Sequence, residues 1–153
     1  MTTLHSVIGQ DINSESLQAL VRELGPFQSS IQDLAPDENI RADHYLTNKA
    51  GGIQLRHSPL GIVEVIFLYG AGRDGFSGYR GPFEDGVTFA STAKDIVDVL
   101  GPPQFHKPER KTPLLGMKGE SLRYDCPSHS IAFQMALGGK GVSLVTITAP
   151  QVP

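Results

Sequence analysis

LQALVRELGPFQ, residues 17–28, returns about half a chain later as AKDIVDVLGPPQ, residues 93–104. Val21, Leu24, Gly25, Pro26 and Gln28 line up with Val97, Leu100, Gly101, Pro102 and Gln104, and Leu20 with Ile96. Leu17, Leu20, Val21 and Leu24 recur at i, i+3, i+4 and i+7, the stripe of an amphipathic helix over about 14–24. Ala93, Ile96, Val97 and Leu100 repeat it over about 92–100. In both copies a glycine supplies a left-handed stop and the proline after it bars continuation. Asn13 or Ser14 can cap the first helix; the second starts at Ser91 or Thr92, and the Thr92-x-x-Asp95 spacing approximates a capping box.

Strand-like runs follow each helix. After the first come 41–47, IQLRHS at 53–58 and IVEVIFLY at 62–69, separated by Gly51-Gly52 and by Pro59-Leu60-Gly61. After the second come SLRYDC at 121–126, SIAFQMAL at 130–137 and VSLVTITA at 142–149. Closely spaced runs with such turns read as antiparallel meanders. The predicted fold is therefore α+β, with two tandem αβββ units, each a short helix packed on an antiparallel meander sheet. The pseudo-repeats run from about 13 to 76 and from about 90 to 149, within one compact domain over 1–153. Two segments break the pattern: the glycine-rich, aromatic GAGRDGFSGYRGPFEDG at 70–86 and the basic, proline-containing FHKPERKTPLLGMKGE at 105–120. Loops of that length in a compact domain are usually functional or mobile.

Composition sets bounds on function. With 39% hydrophobic and 19% charged residues the chain reads as soluble and globular. Its longest apolar runs are too short to span a bilayer, and the N-terminus has no signal-peptide pattern. The single cysteine, Cys126, cannot form an intrachain disulfide. These features together predict a cytoplasmic protein with no membrane partner. Net charge is −3, and the excess acid lies in the first half, with Asp33, Asp37, Glu38 and Asp43 close together. Acidic surfaces repel phosphate backbones and attract basic proteins, which argues against direct nucleic-acid binding.

No motif carries decisive chemistry. The 70–86 loop lacks both G-x-x-x-x-G-K-[ST] and G-x-G-x-x-G, so it does not read as a phosphate cradle. Its Phe76, Tyr79, Arg80 and Phe83 are residue types favoured as interface anchors, and equally suited to packing on the sheet. The five histidines show no zinc-ligand spacing, and no metal or cofactor is expected. His57 and His129, at strand ends beside turns, read as surface residues. Cys126 reads as a small core residue, because sequence proximity to His129 supplies neither a positioned base nor an oxyanion hole. Adjacent carboxylates such as Glu84-Asp85 point apart on an extended segment and make poor acid–base pairs. A non-enzymatic protein is expected.

The run from GIQLRH through VEVIFLYG and GFSGYRGPFEDGVTFASTAKDIVDVLGPP resembles a family of small bacterial proteins found with polymorphic toxins. Tyr79, Gly81, Gly86, Phe89, Ser91, Val97, Leu100, Gly101 and Pro103 carry the likeness. The resemblance covers about residues 52–149 and implies an immunity protein, which binds and blocks a cognate toxin. The tandem architecture is also similar to that of beta-lactamase inhibitory protein and the BamE-like folds. The expected partner is a toxin domain of the basic, nuclease type, met by a monomer or weak dimer. Asp33, Asp37, Glu38 and Asp43 would steer it, and Phe76, Tyr79, Arg80 and Phe83, with Glu84 and Asp85, would line the contact. The alternative is a small-ligand or regulatory module using the cleft between the two units.

Overall fold

The computed structural model describes residues 4–32, 43–81, 83–84 and 86–150. Helix α1 (Glu15–Leu24) starts at Ser14, whose hydroxyl accepts from the Leu17 amide, and stops at Gly25 with φ 95°. Helix α2 (Ala93–Leu100) closes its capping box. The Thr92 hydroxyl accepts from the Asp95 amide at 3.2 Å, and the Asp95 carboxylate accepts from the Thr92 amide at 2.9 Å. Gly101, φ 85°, ends it. Among the described residues no helix is long and apolar enough to cross a membrane.

Apart from short 3-10 turns, the rest of the regular structure among the described residues is strand: β1 (Gln28–Gln32), β2 (Asp43–Asn48), β3 (Ile53–His57), β4 (Val63–Tyr69), β5 (Phe105–Lys107), β6 (Arg110–Thr112), β7 (Gly116–Lys118), β8 (Ser121–Asp125), β9 (Ser130–Met135) and β10 (Val142–Thr148). Eight of them form one antiparallel sheet in the order β1-β2-β3-β4-β10-β9-β8-β5, and β6 pairs with β7 in a separate hairpin.

This architecture overturns the expectation of two tandem αβββ units. The protein is mostly β, with two short helices serving one large sheet. The strands that would have ended two separate meanders, β4 and β10, pair with each other from Val65↔Thr148 to Tyr69↔Leu144. The physical cause lies in β4. Val65, Ile66, Leu68 and Tyr69 are buried, so both faces of the strand leave water. Left as an edge, such a strand would expose unpaired backbone beside apolar side chains, a template for aggregation. Pairing with β10 places it at the centre of the sheet.

The main core cluster lies on one face. Ile53 and Leu55 of β3, Ile66 and Leu68 of β4, and Val145 and Ile147 of β10 share it by register, as do Ile131 and Phe133 of β9. Leu17 and Leu20 of α1 and Ile96 of α2 close over that face in the same cluster. Burying one such side chain fully contributes roughly 1.5–3 kcal/mol. The N-terminal 3-10 turn Leu4–Val7 adds Leu4 and Val7, and is laced to β4 by the Gly9 amide and the Val63 carbonyl at 2.8 Å. Gly52, φ 70°, sits where a Cβ would overlap the Ser77 carbonyl and the Tyr79 backbone, so the β2–β3 turn admits only glycine there.

Candidate functional site

With both helices on one face, strand alternation turns every second side chain to the other. One cross-strand row on this open face runs Gln28–Thr47–Gln54–Phe67–Thr146–Ala132–Arg123–Phe105, through all eight strands. A parallel row runs Tyr69–Leu144–Gln134–Ser121–Lys107. Most of these side chains are half-buried: they pack against their neighbours along the sheet and stay within reach of solvent.

The two ends of the face differ in chemistry. On the β1–β4 side the Tyr69 hydroxyl donates to Gln54 Oε1 at 3.0 Å, and Gln54 Nε2 donates to Thr47 Oγ1 at 3.0 Å. Phe76 stacks on the Tyr69 ring, 3.8 Å between centroids, with Lys49 Nζ 5.8 Å from the Phe76 centre. Burial, then the neighbouring Asp74, raises the Tyr69 hydroxyl above its ordinary value, and this end is aromatic with one cation, Lys49, and one anion, Asp74, beside the rings.

The β5–β8 side is cationic. Phe105, Lys107, Arg110, Lys118 and Arg123 surround a groove of about 430 Å³ floored by Ala132, Gln134 and Leu144. The Arg123 guanidinium lies 3.7 Å over the Phe105 ring and forks onto Asp125, Nε to Oδ1 at 3.1 Å and Nη2 to Oδ2 at 3.2 Å. The Ser130 hydroxyl donates to Asp125 at 2.7 Å. That bond first, and Arg123 after it, hold the Asp125 carboxyl below the usual carboxylate range. Arg110 and Lys118 face each other across the β6–β7 hairpin, whose open end meets the sheet at the groove.

The structure redistributes the residues that sequence singled out. Asp33, Asp37, Glu38 and Asp85 lie outside the described residues. Asp43 opens β2, where its carboxylate accepts from the Tyr45 hydroxyl at 3.4 Å. Phe76 and Tyr79 are 6% and 7% exposed, too little free surface for an anchor to offer a partner. Tyr79 belongs to the core cluster, and burial, then Glu23, pushes its hydroxyl up to about 12. Phe83 packs on the same core, edge-on to Phe89 at 5.2 Å. The loop's aromatics therefore pin its described residues to the sheet; Arg80 remains exposed.

The histidines need correcting as well. His57 and His129 are buried, at 7% and 4% exposure, rather than on the surface. His57 Nδ1 meets the Ser58 carbonyl at 2.8 Å, and its ring lies 5.3 Å from His44. His129 stacks on His5, centroids 4.2 Å apart, with Nδ1 2.8 Å from the Ser128 hydroxyl. His57 ends β3 and His129 stands just before β9, and the ring of His5 from the N-terminal turn covers His129. Burial, then the carboxylates of Glu84 and Asp125, raises the Cys126 thiol, which disfavours the thiolate a nucleophile needs. Among the described residues no three His, Cys, Asp or Glu side chains are placed to hold a metal ion.

No protein-family model matches the chain, and no curated protein matches it. Among solved structures, a cysteine-rich secretory protein from Staphylococcus aureus aligns with a TM-score of 0.53 at 10% identity. The alignment covers 94% of this chain and 44% of that one, so this chain spans under half its length. A DUF4309 family protein from Bacillus subtilis aligns at 11% identity and a TM-score of 0.46, over 86% of this chain and 76% of its own. The first likeness concerns the fold alone.

Sequence reasoning missed the groove. Its signal was present in the basic run Lys107, Arg110, Lys111 and Lys118, which read as a connection between elements. Two three-residue strands and a third at the sheet edge hold those cations in place.

Proposed function

We propose that this protein is an immunity protein, which binds a cognate bacterial toxin domain and blocks its active site or substrate path. The observation that carries the reading is the open face: a row of half-buried polar and aromatic side chains running across all eight strands. Seven spacings of about 4.8 Å by roughly 17 Å of strand give on the order of 600 Å². That approaches the ~800 Å² per partner of a standard protein interface. A sheet face of this breadth suits a folded partner better than a small molecule, which favours an enclosed pocket. The resemblance of the 52–149 stretch to immunity proteins supports the same reading, and a cytoplasmic site of action goes with it.

Arg80, Asp43 and the cations of the groove replace the buried aromatics as the expected contact residues. The test is co-expression with the toxic domain encoded beside this gene. Growth should be rescued and the two chains should co-purify. A neighbouring toxin that still kills, with no complex formed, would end the proposal.

A further inference from the structure

Resting on that reading, we infer that the groove between β5, β8 and the base of the β6–β7 hairpin is the docking site for an extended acidic segment of the partner, one whose carboxylates alternate with apolar side chains. The groove has cationic walls, and its floor sets apolar Leu144 and Ala132 beside Gln134. Lys107, Arg110 and Lys118 line it, and among the described residues no acidic side chain does. None of the three forms an ion pair with a described residue. The nearby carboxylates are already engaged: Glu109 accepts from the Gly138 amide at 2.9 Å, Glu120 meets His106 at 2.6 Å, and Asp125 is held by Arg123.

Free cations alone would fit any anion. The floor narrows the choice, because Leu144, Ala132 and the ring of Phe105, 56% exposed, offer apolar contact that a bare phosphate cannot use. A nucleic acid would also meet a chain of net charge −3, which repels a dense polyanion outside the groove. An extended peptide presents side chains alternately to opposite sides, so acidic residues can reach the walls while apolar ones settle on the floor. The groove also borders β5, the last strand of the sheet, whose outer edge pairs with no other strand among the described residues.

The probe is a short fluorescent peptide of alternating Glu and Leu, titrated into the intact protein at low and high salt. Saturable binding that weakens as salt rises is expected, as charge complementarity requires. Lys118→Glu should weaken it by about tenfold or more, whereas Lys49→Glu, the same charge change at the far end of the face, should cost less than about twofold. Lys118→Gln, checked for an unchanged melting temperature, repeats the measurement without charge reversal. Three results would overturn the inference: equal losses from the Lys118 and Lys49 variants, equal binding of a Lys–Leu peptide, or displacement by millimolar inorganic phosphate. A toxin complex that survives Lys118→Glu undiminished refutes the groove and leaves the immunity reading standing. Specific peptide binding without growth rescue does the reverse.

Discussion

The guanidinium of Arg123 lies 3.7 Å above the centre of the Phe105 ring, joining the edge strand β5 to its neighbour β8 by a side-chain contact as well as by the ladder. Arg is planar and weakly hydrated, so it can stack on an aromatic face while its other edge bonds Asp125. β5 has only three residues, and its pairing with β8 begins at Phe105↔Arg123. The stack therefore keeps the groove's outer wall in position.

Phe105→Ala should destabilise the protein by about 1 kcal/mol, the scale of a partly exposed cation–π pair. A double-mutant cycle with Arg123→Gln, read by urea unfolding, should give a coupling energy of about 0.5–1 kcal/mol. Additive losses would mean that the two side chains merely lie near each other.

Asn48 carries a second joint. Its Nδ2 donates to the Leu24 carbonyl at 2.8 Å and its Oδ1 accepts from the Gly51 amide at 2.8 Å, tying the C-terminus of α1 to the β2–β3 turn. At the far end of the same face the Tyr124 hydroxyl donates to the Gly101 carbonyl at 2.8 Å, past the end of α2. Asn48→Ala strands a helix-end carbonyl in a site 7% exposed, which should cost about 1–3 kcal/mol. Asn48→Asp should be as harmful, because the carboxylate keeps the acceptor and loses the donor. Thermal unfolding of both variants checks this.

Tyr79 lends itself to a cleaner test of burial than of binding. Tyr79→Ala should cost about 3–5 kcal/mol through the cavity it leaves, so any loss of partner affinity would follow from damage to the fold. The hydroxyl is pushed from its ordinary 10.0 up to about 12 by burial and then Glu23. A raised folded value means that the folded state holds its proton longer than the unfolded chain. Stability from this group is then complete below pH 10 and declines as pH rises toward 12. Tyr79→Phe should flatten that alkaline decline in urea-denaturation midpoints measured between pH 9 and 11.

The two helices were legible because their stripes and stops are local: Ser14, Gly25, Thr92 and Gly101 all sit where pattern reasoning puts them. The sheet was legible only in pieces. β1, QSSIQ, has a single apolar residue and no alternation to detect, and β5, β6 and β7 are three residues each. The joining of β4 to β10 is a contact between distant parts of the chain, and period alone says nothing of partners. The same limit explains the site. Lys107 and Lys118 are eleven positions apart in sequence and converge only when the β6–β7 hairpin folds back between them. Phe76 and Tyr79 have the composition of an interface and the burial of a core, which residue type cannot separate.

His129 ties the protein's stability to mild acid. Its ring is 4% exposed and stacked 4.2 Å from His5, and its buried Nε2 has no hydrogen-bond partner. Glu84 Oε2, 3.9 Å away, would favour the charged ring, yet it lies beyond hydrogen-bond reach and burial outweighs it. Burial, then His5, therefore holds His129 below its ordinary 6.5. A depressed histidine takes up its proton later in the folded state than in the unfolded one, so the unfolded chain gains protons first as pH falls. Stability from the neutral ring is complete above pH 6.5 and is lost progressively below it. The melting temperature should drop on going from pH 7.5 to pH 5.5, and the loss should localise to the contact of the N-terminal turn with the β8–β9 turn. His129→Asn removes the titrating group and should reduce the acid-dependent part of that drop, even if it lowers stability at neutral pH. His5→Asn relieves the second source of depression and should shrink it too, by less. An equal pH dependence in wild type and His129→Asn would assign the acid response to other groups.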